Sequence, residues 1–107
     1  MSTPGAHFQL EVEQAKAIAT AVESVRGVAG LNRGQFGEVS LLFPRQRVGG
    51  IRHLDVRDDT KIETHVVVDI SAEIPLQSIA DAVRTAAFGA CPDLTRVDVV
   101  FADAVTS

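Results

Sequence analysis

An α+β fold is expected for this 107-residue chain: two layers, with two helices packed on one face of a three- to four-stranded antiparallel or mixed sheet, in the order α-β-β-β-α-β. Three observations predict it. Two segments repeat apolar residues with the 3.6-residue period of a helix, and two others alternate with the two-residue period of a strand. Residues 25–52, where glycines and arginines punctuate two short apolar runs, hold six of the eight glycines. Each patterned face needs a partner layer, and helices on one side of a sheet satisfy all of them at once.

In the first helix Val12, Ala15, Ile18, Ala19, Val22 and Val25 form the apolar stripe. Acids crowd its start and Arg26 stands at its end, as the helix dipole favours, and Gly27 is placed to stop it. Val39 to Phe43 is a short apolar run closed by Pro44 and reads as a strand, with Ile51 to Arg57 as a second. Asp58-Asp59 supplies a turn before Thr60 to Ser71, the clearest strand. There Ile62, Thr64, Val66, Val68 and Ile70 share one face, and Lys61, Glu63, His65, Val67 and Asp69 the other.

Leu54 and Val56 are then expected on the face of Ile62, which two hairpin registers allow. Setting Val56 against Ile62 opposes Arg57 to Lys61 and Asp55 to Glu63, two like-charge pairs. Setting Leu54 against Ile62 pairs Asp55 with Lys61 and His53 with Glu63, and is favoured. Pro75 suits the first turn of a second helix with a stripe of Leu76, Ile79, Ala80, Val83, Ala86 and Ala87, ended by Gly89 and Pro92. Thr95 to Asp103 is the last strand, with Val97, Val99 and Phe101 inward. Residues 1–9 read as a flexible N-terminal tail and 10–103 as one domain.

Composition narrows the function classes. With no Trp or Tyr and five Phe, the core must be built of Val, Ala, Leu and Ile. A net charge of −4 argues against a dedicated nucleic-acid binder. The single thiol, Cys91, excludes an intrachain disulfide and fits a reducing cytoplasm. No run approaches the ~20 apolar residues of a membrane span, and the first residues lack a signal-peptide core.

Several residues invite a sharper reading. Arg45, Arg47 and Arg52 around Gly49-Gly50 suit an anion or an acidic partner, since guanidinium forks and exposed amides meet oxyanions; a solvated β-connection is the plain alternative. Attraction to anionic lipid is worth ~1 kcal/mol per basic residue, so three arginines alone hold a membrane only weakly. Gly27-Val-Ala-Gly30 matches the backbone-clamping loop of KH domains, yet that loop needs a following helix and here a strand comes next. His53 and His65 become diagonal neighbours in the favoured register, with Asp55 or Glu63 near, which falls short of the three or four converging ligands of a zinc site. Cys91 stands in a Gly-Ala-Cys-Pro segment without a neighbouring base. No catalytic group, cofactor or metal is therefore expected, and the chain does not read as an enzyme.

The order of motifs resembles the alkaline shock protein family, the envelope stress response proteins of Gram-positive bacteria. The resemblance covers residues 10–103. It is carried by Val25, Gly27, Val28, Gly30 and Leu31 after the first helix; by Gly37-Glu38 through Pro44; and by the basic link from Arg45 to Arg52. The valine-rich strand Ile62 to Ile70, the helix opened by Pro75 and the final Val97 to Val99 complete it. It implies a non-enzymatic cytoplasmic adaptor that associates with itself and is recruited to the inner face of the cell membrane by anchored protein partners. The long charged tails of some members are missing, so nothing attributed to tails carries over. A KH-like RNA-binding module using segment 45–52 is the alternative. Val67, Val100 and Ala102, on the outer sheet face within a charged rim, are the expected self-association surface.

Overall fold

The computed structural model describes residues 8–106, so most of the expected tail lies outside it. The elements are α1 (Val12–Glu23), β1 (Val28–Leu31), β2 (Ser40–Phe43), β3 (Gln46–Gly49), β4 (Ile51–Asp55), β5 (Asp58–Asp69), a 3-10 turn (Ile70–Ala72), α2 (Leu76–Ala90) and β6 (Arg96–Val105). The expected two-layer α+β class is what forms, with two helices on one face of a mixed sheet. Two short strands, β1 and β3, are additional to the pattern read from sequence.

β5 organises the sheet. One of its edges pairs in parallel with β6 from Lys61↔Arg96 to Asp69↔Val105. The other edge carries two antiparallel strands end to end, β4 along its first half and β1 along its second. At the joint between them His65 donates its N–H to Gly50 O (2.9 Å) and accepts from Asn32 N–H (2.9 Å), so backbone hydrogen bonding to β5 continues across the joint. β2 and β3 form a separate hairpin whose buried Leu41–Val48 pair joins the core.

The inner face carries Ile62, Thr64, Val66, Val68 and Val97, and the helices cover it with Ala15, Ile18, Val22, Ile79, Val83 and Ala87. Thr64 is fully buried and satisfied, its hydroxyl donating to Asp98 O at 3.2 Å. Ahead of α1, Phe8 packs on this core and Leu10 is buried, its N–H donating to Asp59 Oδ2 at 2.7 Å. Residues 8 and 9 therefore lead directly into packed structure.

Several expectations are corrected. α1 ends at Glu23 with Ser24 as its cap, so Arg26 lies in the turn beyond the helix and not in its last turn. The β4–β5 register differs by one residue from the favoured one: His53 opposes Ile62, Arg52 opposes Glu63 and Ile51 opposes Thr64. A one-residue slip inverts every side chain of a strand. Here it brings Ile51 to full burial and sets Arg52 against an acid, while Val56 is left 84% exposed in the turn. An irregularity between His53 and Asp55 makes this register possible, and alternation alone does not reveal it.

Ile70 is 56% exposed, not inward. The Asp69 carboxylate accepts the Ser71 N–H (3.0 Å), starting the 3-10 turn that lifts Ile70 off the sheet face. α2 runs through Gly89 to Ala90 before Cys91 caps it, since its stripe continues to Ala87 and Gly89 is tolerated in an exposed last turn.

Two glycines are required by the close approach of elements. Gly27 has φ +95, and a Cβ there would stand 2.8 Å from Ile79 Cδ1 of α2. Gly50 has φ +88, and its Cβ would stand 2.5 Å from Leu31 Cβ. Gly27→Ala is expected to cost about 1–3 kcal/mol through left-handed strain and overpacking of Ile79. A urea midpoint equal to that of the parent would contradict this account.

Candidate functional site

The three arginines singled out in sequence do not converge. Arg45 sits at the tip of the β2–β3 hairpin with φ 66, fully outside the core. Arg52 is on the outer face of β4, its Nε 2.7 Å from Glu63 Oε1. Arg47, exposed on β3, faces a depression, and its companion there is Arg33, which follows β1.

The depression is a cleft of about 470 Å³ between α1 and the hairpin. α1 contributes Lys16, Ala19, Thr20 and Glu23; the opposite side is made by Leu31, Arg33, Arg47, Val48 and Gly49. A second depression of about 410 Å³ adjoins it, formed by the 34–37 loop against the same Arg33 and Arg47. Arg33 and Arg47 thus line both hollows. Arg33 was missed because nothing in sequence places residue 33 beside residue 47; the β1–β5 and β2–β3 pairings do so.

The loop behind these arginines is braced by short polar contacts. Asn32 Oδ1 accepts the Gly34 N–H (2.7 Å), Val39 N–H donates to Arg33 O (3.0 Å), and Ser40 Oγ donates to Gly37 O (2.9 Å). Glu38 folds back so that Oε1 accepts the Phe36 N–H at 2.9 Å. Backbone N–H groups of Glu38 itself and of Phe36 hold its carboxyl below the usual carboxylate range. The Gly37-Glu38 step is thereby a loop staple.

On the outer sheet face, Glu63 Oε1 lies 2.6 Å from His65 Nε2 and 2.7 Å from Arg52 Nε. The His65 contact first, then Arg52, lowers the Glu63 pKa. Val67 and Val100 share this face, both half-buried, because His65 is paired with Val100 two residues before Val67. Ala102 departs from expectation: the ladder skips it, so Val67 pairs with Asp103, and Ala102 is exposed at an irregularity.

The two histidines face opposite sides and are not diagonal neighbours. His53, opposite Ile62, lies at the core side, where its buried Nδ1 has no hydrogen bond and stands 3.6 Å from Asp59 Oδ1. Among the described residues no group of three or more His, Cys, Asp or Glu side chains converges. Cys91 is buried, and burial pushes its thiol up, away from the thiolate form a nucleophile needs. The Gly27–Gly30 stretch runs into β1 instead of a helix.

A third hollow, about 550 Å³ and mostly apolar, lies at the far end of β5 and β6. Ile70, Ile74, Leu76 and Ala104 line it, with Ile70 and Leu76 half exposed or more. Both were expected inward from their stripes. No helix among the described residues is long and apolar enough to cross a membrane.

Comparison with family models and with curated protein sequences finds no significant match. Solved structures do match. A doubly substituted MamM CTD is 20% identical, with 89% of this chain and 90% of that chain covered and a TM-score of 0.50. A manganese form of a singly substituted MamM CTD is 17% identical over 91% of this chain and 87% of that one, with a TM-score of 0.48. A zinc form is likewise 17% identical over 89% and 84%, with a TM-score of 0.45. At such identity the first likeness speaks to the fold, and to the fold alone.

One ionic contact has a pH signature. Lys61 Nζ, 2.6 Å from Asp58 Oδ2, and then the Thr60 hydroxyl and N–H hold the Asp58 carboxyl far below its ordinary value. A carboxyl lowered in the folded state stabilises above its unfolded pKa, ~3.9, and the gain drains away as pH falls toward the folded value. Asp58→Asn should therefore lower the denaturation midpoint at pH 7, with the gap to the parent narrowing below pH ~4. Parallel midpoint curves across that range would refute the assignment.

Proposed function

We propose that this protein is a non-enzymatic, self-associating adaptor of the cell-envelope stress response, related to the alkaline shock proteins and recruited to the membrane by protein partners. The observation that carries the self-association half is one-sided layering. Both helices pack on the inner face of the sheet, while the outer face keeps Val67 and Val100 partly open within a rim of Lys61, Glu63, Asp98 and Asp103. An apolar centre in a polar rim is the anatomy of a modest protein contact. β6 adds to it, for its ladder is made with β5 alone among the described strands, and an open edge invites pairing with another chain.

The envelope half is supported by the family resemblance, whose motif residues have definite structural tasks. Gly27 and Leu31 bound the turn and strand that dock on β5, Glu38 staples the loop, and Pro75 precedes the first turn of α2. None of these tasks involves a reacting group.

Sedimentation tests the first half. The chain should form a concentration-dependent oligomer that Val67→Glu dissociates and that Arg45→Ala leaves unchanged. A strict monomer at high concentration would remove it. Crosslinking in cells followed by fractionation tests the second: recovery wholly in the soluble fraction, with no membrane protein attached, would remove recruitment.

A further inference from the structure

We propose that the cleft between α1 and the β2–β3 hairpin is a docking site for an acidic peptide segment that also carries apolar side chains. The first argument is charge. Arg52, Arg57, Arg84 and Arg96 each have a carboxylate within 2.7–3.6 Å: Glu63, Asp55, Asp81 and Asp98. Arg33 and Arg47 have none among the described residues, nor have Arg26 and Arg45, but of these four it is Arg33 and Arg47 that line the cleft, on a chain that carries fourteen acids against ten bases. Lys16, itself 3.6 Å from Glu13, also lines the cleft, whose one acid is Glu23. A locally basic hollow on an acidic protein is complementary to a carboxylate-bearing ligand, and guanidinium forks bind carboxylates in two-point fashion.

The second argument is placement. The Arg33 stem lies over Gly49, where an added Cβ would stand 3.0 Å from Arg33 Cβ; the Arg47 guanidinium lies over Gly37, where it would stand 2.9 Å from Nη1. Both arginines therefore rest on bare backbone, which limits their freedom before any ligand arrives and lowers the entropic cost of binding.

The third argument separates a peptide from other anions. Ala19, Leu31 and Val48 give the cleft an apolar floor, and Phe36, 84% exposed, stands in the adjoining hollow beside the same arginines. Aromatic and arginine side chains are the types that dominate protein contacts. Glu23 opposes a continuous polyanion, and one phenylalanine is not the succession of stacking platforms used by single-stranded nucleic acid. A peptide can place carboxylates at the arginines and apolar side chains on the floor. The proposal deepens the adaptor reading, on which it rests only in taking the ligand to be a protein segment.

Fluorescence polarisation at low salt with a labelled Glu-Glu-Leu repeat peptide tests it. The arms are the same peptide with Gln for Glu, an oligouridine RNA, and inorganic phosphate as competitor. The acidic peptide should bind, and the Gln peptide and RNA should bind roughly tenfold or more weakly. The Arg33→Ala/Arg47→Ala pair should weaken the acidic peptide by roughly tenfold or more, Arg52→Ala should leave it unchanged, and Glu23→Gln should tighten it. No binding, equal binding of the Gln peptide, RNA binding tighter than peptide, displacement by phosphate alone at low concentration, or indifference to the paired substitution each overturns the proposal. The substituted residues are exposed, and a circular-dichroism melt checks their fold. Sedimentation of the unsubstituted chain separates the two readings: an oligomer that binds no acidic peptide defeats the cleft alone, whereas RNA preference defeats the protein-partner reading as well.

Discussion

The four-stranded sheet and both helices are hung on β5. Its two edges receive three strands, its inner face receives both helices through Ile62, Thr64, Val66 and Val68, and its outer face is left to solvent or to another chain. The constraint is hydrogen bonding. A long buried strand must satisfy N–H and C=O groups on both edges, and β4 and β1 are each too short to cover one edge. The backbone groups of His65, donating to Gly50 and accepting from Asn32, close the gap between them. Closing it draws residues 32 and 50 together, which carries Arg33 to the foot of the hairpin.

The basic cleft is thus a by-product of completing the sheet. The same closure explains why the glycines cluster. Gly50 must let Leu31 approach, Gly27 must turn the chain beneath Ile79, and the 34–37 loop must fold tightly enough for Glu38 to reach the Phe36 N–H. A segment that in isolation is a string of glycines and arginines becomes a braced support for two unpaired guanidinium groups. The outer sheet face is chemically different, with Arg52, Glu63 and His65 satisfying one another beside Val67 and Val100.

Pattern reading succeeds here where one element buries one face. The stripe of α1, the stripe of α2 from Ile79 to Ala87, the alternation of β5 and the inward Val97 all follow from the sequence, because each periodicity is enforced by a single continuous core. It fails at the ends and joints. Ile70 leaves the core in the 3-10 turn that follows β5, Leu76 at the first residue of α2, and β4 slips by one residue because Ile51 and Arg52 both gain partners there. Local alternation carries no information about such irregularities.

By itself the sequence determined the layering, the two helices and the central strand. Tertiary structure alone decided which charges stand free. Arg52 is one of three equivalent arginines in sequence until the β4 register delivers it to Glu63, and Arg33 is one basic residue among several until β1 docks on β5 and sets it beside Arg47. Whether a charged side chain is spent within the fold or left to meet a partner depends on contacts between residues far apart in the chain, and periodicity, being local, does not encode them.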